Sequence, residues 1–78
     1  MAGRPQHTPA YRQFCILLAK WRGQAGLSQR QLSQQLKKPI TYANKVEAGI
    51  RRIDPIELAA WCRACEIDPV EAYRQVVG

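Results

Sequence analysis

Apolar residues recur every three or four positions along most of the chain, in short runs broken by helix-start and helix-stop residues. Five helices follow from that pattern. Thr8-Pro9 reads as an N-cap and a first-turn proline, so a first helix is expected to run to about Gln24. Its inward stripe is Tyr11, Phe14, Leu18, Trp21 and Ala25, widened by Ile16 and Leu17, and Gly23 weakens its last turn. Ser28 with Gln31 three residues later makes a capping box, and Leu27 with Leu32 makes the matching hydrophobic staple. The second helix then shows one apolar edge of Leu32 and Leu36 beside small Ser33. Pro39 ends it by biasing Lys38 away from helical angles, yet suits the start of another helix. That third helix is expected over Ile40–Ala48, with Ala43, Val46 and Ile50 inward and Thr41, Asn44, Lys45 and Ala48 outward. Gly49 is its stop. Asp54-Pro55-Ile56-Glu57 repeats the start chemistry, stapled by Ile53 and Leu58, for a fourth helix carrying Ile56, Leu58, Ala59, Trp61, Cys62 and Cys65. Asp68-Pro69-Val70-Glu71 opens a fifth, Pro69 to Val77, with Val70, Tyr73, Val76 and Val77. Met1 to His7 has no periodicity, so residues 1–7 are expected to be a flexible arm before one domain over 8–78. Arg4 in that arm is either a solvated terminus or a contact to phosphate or a minor groove.

Two short helices joined by a tight turn, the second turning Thr, Asn and Lys outward beside Lys37 and Lys38, can place that second helix in a DNA groove. Charge sharpens the picture. The net charge is +6, but Met1 to Val46 holds eight basic residues and no acid, whereas Glu47 to the end holds six acids and four basics. A polarised basic domain suggests a polyanion, and the groove-entering helix lies at the basic end. Charge alone does not separate DNA from RNA or from an anionic membrane. At 78 residues there is room for one small core, so dimerisation is a plausible source of added stability. There is no eighteen-residue apolar run and no signal-peptide core at the N-terminus, so a soluble cytoplasmic protein without a membrane partner is expected.

Candidate chemistry is sparse. Cys62 and Cys65 form a C-x-x-C, with Cys15 and His7 as imaginable further ligands, but two ligand pairs at zinc spacing are lacking. A redox C-x-x-C gains its low pKa from a helix N-terminus, and this one sits near a helix C-terminus. Small core cysteines are the reading taken, with no metal and no cofactor. No positioned partner for His7, no phosphate-binding glycine loop and no paired carboxylates near a basic group are present, so no enzyme and no small-molecule substrate are expected. Trp21 and Trp61 fall on helical apolar faces, which favours core packing over base stacking.

Residue by residue, Gly26-Leu27-Ser28-Gln29 through Val46-Glu47-Ala48-Gly49 resembles the lambda-repressor-like (Cro/XRE-type) helix-turn-helix family, and the likeness extends over roughly Leu18 to Tyr73. The resemblance implies an all-α, compact five-helix DNA-binding domain with the helix-turn-helix at helices 2 and 3. It implies a structural salt bridge between Arg22 and Glu47. It also implies that Gln29 grips phosphate through its side chain and backbone N–H. Lys37, Lys38, Tyr42, Arg51 and Arg52 complete the expected phosphate set, Tyr42 being equally suited to half-buried packing. Base reading is expected from Ile40, Thr41, Asn44 and Lys45: Asn44 bidentate to adenine, Lys45 to guanine, Thr41 to either, Ile40 to a thymine methyl or simply to packing.

The chain departs from the family at Lys37, where glycine is usual, at Lys38, and at Ala43, so a looser or longer turn is expected there. Tyr73, Val76 and Val77 are dimer-interface candidates. The expected function is a homodimeric, sequence-specific regulator of double-stranded DNA, a repressor reading an inverted-repeat operator, of bacterial or phage origin and nucleoid-associated when bound. With no ligand-binding domain attached, control would come through concentration and cooperative binding. A restriction–modification controller or an autoregulatory antitoxin of the same fold are alternatives, as is a helical protein-interaction module that binds no DNA.

Overall fold

The computed structural model describes residues 8–78, so the arm at residues 1–7, with Arg4 and His7, lies outside the described residues. Five helices run in order: α1 (Pro9–Gln24), α2 (Gln29–Gln35), α3 (Tyr42–Glu47), α4 (Pro55–Ala64) and α5 (Pro69–Val77). The all-α expectation holds. The caps read from the sequence are formed. Thr8 accepts from the Tyr11 N–H, Ser28 and Asp54 each close a reciprocal box with Gln31 and Glu57, and Asp68 accepts from Val70. Side-chain oxygens thus meet donors that an N-terminal turn leaves without a partner.

The core gathers Leu18 and Trp21 of α1, Leu32 of α2, Tyr42, Ala43 and Val46 of α3, Trp61, Cys62 and Cys65 at α4, and Ala72 of α5. Both tryptophans are core residues, each with its indole N–H donating: Trp61 to the Leu18 carbonyl and Trp21 to Gln75, at 3.2 Å in each case. The cysteines are buried and free, and Cys15 Sγ donates to the Val46 carbonyl. Burial pushes all three thiols up, Cys65 to about 11, which opposes the thiolate that redox or metal chemistry needs.

Several inward assignments change. Ile16 is 57% exposed, because the fourth residue of the α1 stripe is Cys15. Ile50 lies past the end of α3 and is exposed, as are Ile56 and Val70 at the first turns of α4 and α5. The first turn of each points its side chain beyond the neighbouring helix.

Four helix ends close in the same way. Residues Gly26, Lys37, Gly49 and Glu66 take φ of +75°, +58°, +78° and +60°. At α2 the Lys38 N–H bonds the Ser33 carbonyl and the Lys37 N–H bonds Gln34, which is the left-handed C-terminal motif usually built on glycine. Lys37 adopts this conformation despite its Cβ. The departure from the family's glycine therefore leaves the end of α2 tightly closed. The delay falls further on: Tyr42 N–H bonds Pro39 O, and α3 begins at Tyr42 rather than Ile40, six residues long instead of nine.

A left-handed residue with a side chain costs about 1 kcal/mol, partly offset by the greater freedom of an unfolded glycine. Lys37→Gly should therefore raise stability by about 0.5–1 kcal/mol in a urea titration. An unchanged or lowered midpoint would mean that Lys37 is held there without strain.

Candidate nucleic-acid interface

A six-residue helix is too short to hold itself, so what fixes α3 fixes the site. Thr41, its N-cap, makes no side-chain capping bond. Ser33 does that work from α2: its buried hydroxyl accepts from the Ala43 N–H at 2.9 Å. Small Ser33 was read only as a space-saving residue, and its role depends on a partner ten positions away. At the other end Glu47 is gripped by Arg22, with Nε to Oε2 at 2.6 Å and Nη2 to Oε1 at 3.1 Å. The third guanidinium nitrogen, Nη1, donates to the Leu27 carbonyl at 2.9 Å. The side chains are 19% and 8% exposed, and the bond to Glu47 raises the Arg22 pKa. The expected Arg22–Glu47 pair is thus present in two-pronged form.

So held, α3 buries Tyr42, Ala43 and Val46 and exposes Asn44 and Lys45, while Ile40 and Thr41 are exposed in the turn just before it. The four base-reading candidates share one outward side, but they do not sit where expected on the helix. Ile40 and Thr41 precede it, and Asn44 and Lys45 occupy its middle and last turn.

The phosphate candidates divide into three kinds. Lys37, Lys38, Arg51 and Arg52 do flank α3, and Lys38 is half-buried. Lys38 and Arg51 converge on one carboxylate, Glu57, at 3.6 and 3.0 Å, and both cations also lie over the Tyr42 ring at 5.4 and 5.1 Å. The Arg52 guanidinium stacks over Tyr11, 4.2 Å from the ring centre. Among the described residues, no carboxylate pairs with Lys37, Lys45 or Arg52.

Two expectations need correcting. Tyr42 is 4% exposed and its hydroxyl donates to Glu57 at 3.4 Å, so it acts as a shelf for Lys38 and Arg51 rather than a phosphate ligand. Burial, with Glu57 adding to it, pushes its phenol up to about 12. The Gln29 side chain is committed within the protein, donating to Glu47 Oε1 at 2.9 Å and accepting from Asn44 Nδ2 at 3.3 Å. Its backbone N–H, at the first position of α2, is the part of the phosphate expectation that remains.

Glu57 was read only as a capping residue. Nothing in its neighbours along the chain signals that it also collects Lys38, Arg51 and Tyr42 from two other segments. Of the dimer candidates, Tyr73 and Val77 are exposed, whereas Val76 is half-buried against the core. Tyr73 borders two apolar grooves. One, about 410 Å³, is shared with Tyr11, Phe14, Leu58 and Val76; the other, about 380 Å³, with Pro55, Val70 and Val77.

The family model described as Helix-turn-helix (HTH_3) matches residues 18–71. The chain is also similar in structure to an XRE-family like protein from Pseudomonas syringae pv. tomato str. DC3000. The TM-score is 0.80 and the identity 31%, over 90% of this chain and 88% of that one. No curated protein matches the chain. The chain belongs to the Cro/XRE-type helix-turn-helix family of DNA-binding transcription regulators. Among the described residues no helix is long and apolar enough to cross a membrane.

Burial acts to raise the Glu57 pKa, but the Arg51 guanidinium, the Asp54 N–H and Lys38 outweigh it and hold it below 4.5. A carboxyl whose folded pKa is depressed stabilises the fold above its unfolded pKa and loses that contribution as pH falls through the folded value. Glu57→Gln, which keeps the capping geometry, should therefore lower the melting temperature at pH 7 and lower it much less below about pH 3. An equal gap at both pH values would contradict the ion-pair role.

Proposed function

We propose that the protein is a homodimeric, sequence-specific transcriptional repressor that lays α3 in the major groove of an inverted-repeat operator. The observation that carries this reading is the outward side of α3. Thr41, Asn44 and Lys45 are exposed together, and cations flank them from the α2–α3 turn and from the Ile50–Ile53 loop. Phosphate contacts from Lys37, Lys38, Arg51 and Arg52 set register, and Ile40, Thr41, Asn44 and Lys45 meet base edges. Thr41 suits this because its hydroxyl is not engaged in capping.

One such helix spans too few base pairs to be selective in a genome. The apolar strip of Tyr73 and Val77 on α5 supports pairing of two copies about a two-fold axis. The domain then acts by occupying DNA, with control through its own concentration.

Selection of bound fragments from a random duplex pool should return an inverted repeat whose half-sites lie about one helical turn, roughly 10 base pairs, apart. No enriched sequence, or a strictly asymmetric one, would count against the dimeric regulator. On that site Asn44→Ala and Lys45→Ala should each cost roughly 1–3 kcal/mol and relax preference at one base pair. Arg52→Ala should weaken all duplexes alike and reduce the slope of log affinity against log salt by about 1. Tyr73→Asp should leave a folded monomer by sedimentation equilibrium; an unchanged dimer would move the interface off α5.

A further inference from the structure

We infer that Gln29 is a positioning residue for sequence readout, holding the Asn44 carboxamide in one orientation and so deciding which base edge Asn44 accepts. The inference rests on the proposed reading of α3 as the helix that meets the bases. It starts from a directed row of side chains that runs from the half-buried interior to the surface. Arg22 donates to Glu47, Gln29 Nε2 donates to Glu47 Oε1 at 2.9 Å, and Asn44 Nδ2 donates to Gln29 Oε1 at 3.3 Å.

The two ends of an amide have nearly the same shape, but here chemistry removes the ambiguity. A guanidinium only donates and an ionised carboxylate only accepts. Gln29 must therefore present its NH2 to Glu47, which leaves its carbonyl facing Asn44, and Asn44 answers with its own NH2. Turning Gln29 over would set its carbonyl oxygen against the carboxylate. Turning Asn44 over would set two carbonyl oxygens together. The ion pair at the root of the row thus sets the polarity at its tip.

Asn44 keeps one N–H and its Oδ1 for a partner outside the protein. Adenine offers an N7 acceptor beside an N6 donor in the major groove, which matches an N–H and a C=O held in fixed order. The fixed order also decides which strand carries the adenine. Guanine shows two acceptors there, so one of them faces Oδ1 without a hydrogen. The terminal torsion of an unbraced asparagine is broad and roughly two-fold, so Asn44 without Gln29 would present both orders. A phosphate contact by Gln29 would instead carry no sequence information.

The test compares wild type, Gln29→Leu, Gln29→Met, Asn44→Ala and the two double variants. Each is measured by competition on the site selected from the random pool and on its single-base-pair derivatives. Wild type should prefer adenine at one position per half-site by about fivefold or more, and Asn44→Ala should abolish that preference. Gln29→Leu should lose most of it while the ranking of bases at other positions is kept, and should add no further loss on top of Asn44→Ala. Gln29→Met, matched in length, gives the same reading if the leucine variant does not fold. Uniform weakening on all duplexes with the adenine preference intact would overturn the inference. So would losses that simply add to those of Asn44→Ala, or an adenine preference that does not depend on Asn44. A wild-type protein that enriches no sequence is a separate outcome, which defeats the proposed function and this inference with it.

Discussion

The two-pronged contact between Arg22 and Glu47 is the constraint on which the rest of the structure turns. It joins the last full turn of α1 to the end of α3, and through Arg22 Nη1 it also ties down the Leu27 carbonyl just ahead of α2. A charge pair this far out of water is held together because removing either partner leaves the other unpaired, which costs on the order of 3–5 kcal/mol when burial is complete and less here. Helix α3 has only six residues and could not persist on its own propensity. It exists because Arg22 fixes its end and Ser33 supplies the missing cap at its start. The helix-turn-helix is thus less two helices and a turn than one short helix clamped by side chains from both of its predecessors.

That clamp explains how the outward face is both polar and ordered. The side chains that bury, Tyr42, Ala43 and Val46, seat α3 on the core, and the cations around it rest on fixed supports instead of waving in solvent. Lys38 and Arg51 lean on Tyr42 and share Glu57; Arg52 leans on Tyr11. Ordering long cationic side chains before they meet a partner lowers the entropy lost on contact. Glu57 exacts a cost in return, since a phosphate approaching Lys38 or Arg51 must compete with a carboxylate already there.

Much of the fold was legible in the sequence because its information is local. Caps such as Ser28 with Gln31 and Asp54 with Glu57 act over three residues, and apolar spacing within one helix needs no knowledge of its neighbours. All five helices and the Arg22–Glu47 pair were therefore expected in the right places, the latter through resemblance. Misreadings concentrate where the answer depends on distant parts of the chain. Cys15 displaced Ile16 from the stripe because α1 packs at an angle that periodicity does not reveal. The start of α3 slipped from Ile40 to Tyr42 because Ser33, not Thr41, satisfies its first turn. Tyr42, Gln29 and Glu57 are each engaged by residues 15 or more positions away or on another element, and their neighbours in sequence give no sign of it.

The central claim is that α3 and the turn before it form the surface that meets duplex DNA. Amide and side-chain-amide chemical shifts, followed while an operator duplex is titrated into labelled protein, test it most directly. The account predicts that the largest changes fall on Ile40, Thr41, Asn44 and Lys45, with the Asn44 and Gln29 carboxamides moving together and Tyr73 responding little. Changes centred on the Tyr73–Val77 face of α5, with Asn44 and Lys45 unmoved at saturation, would contradict it.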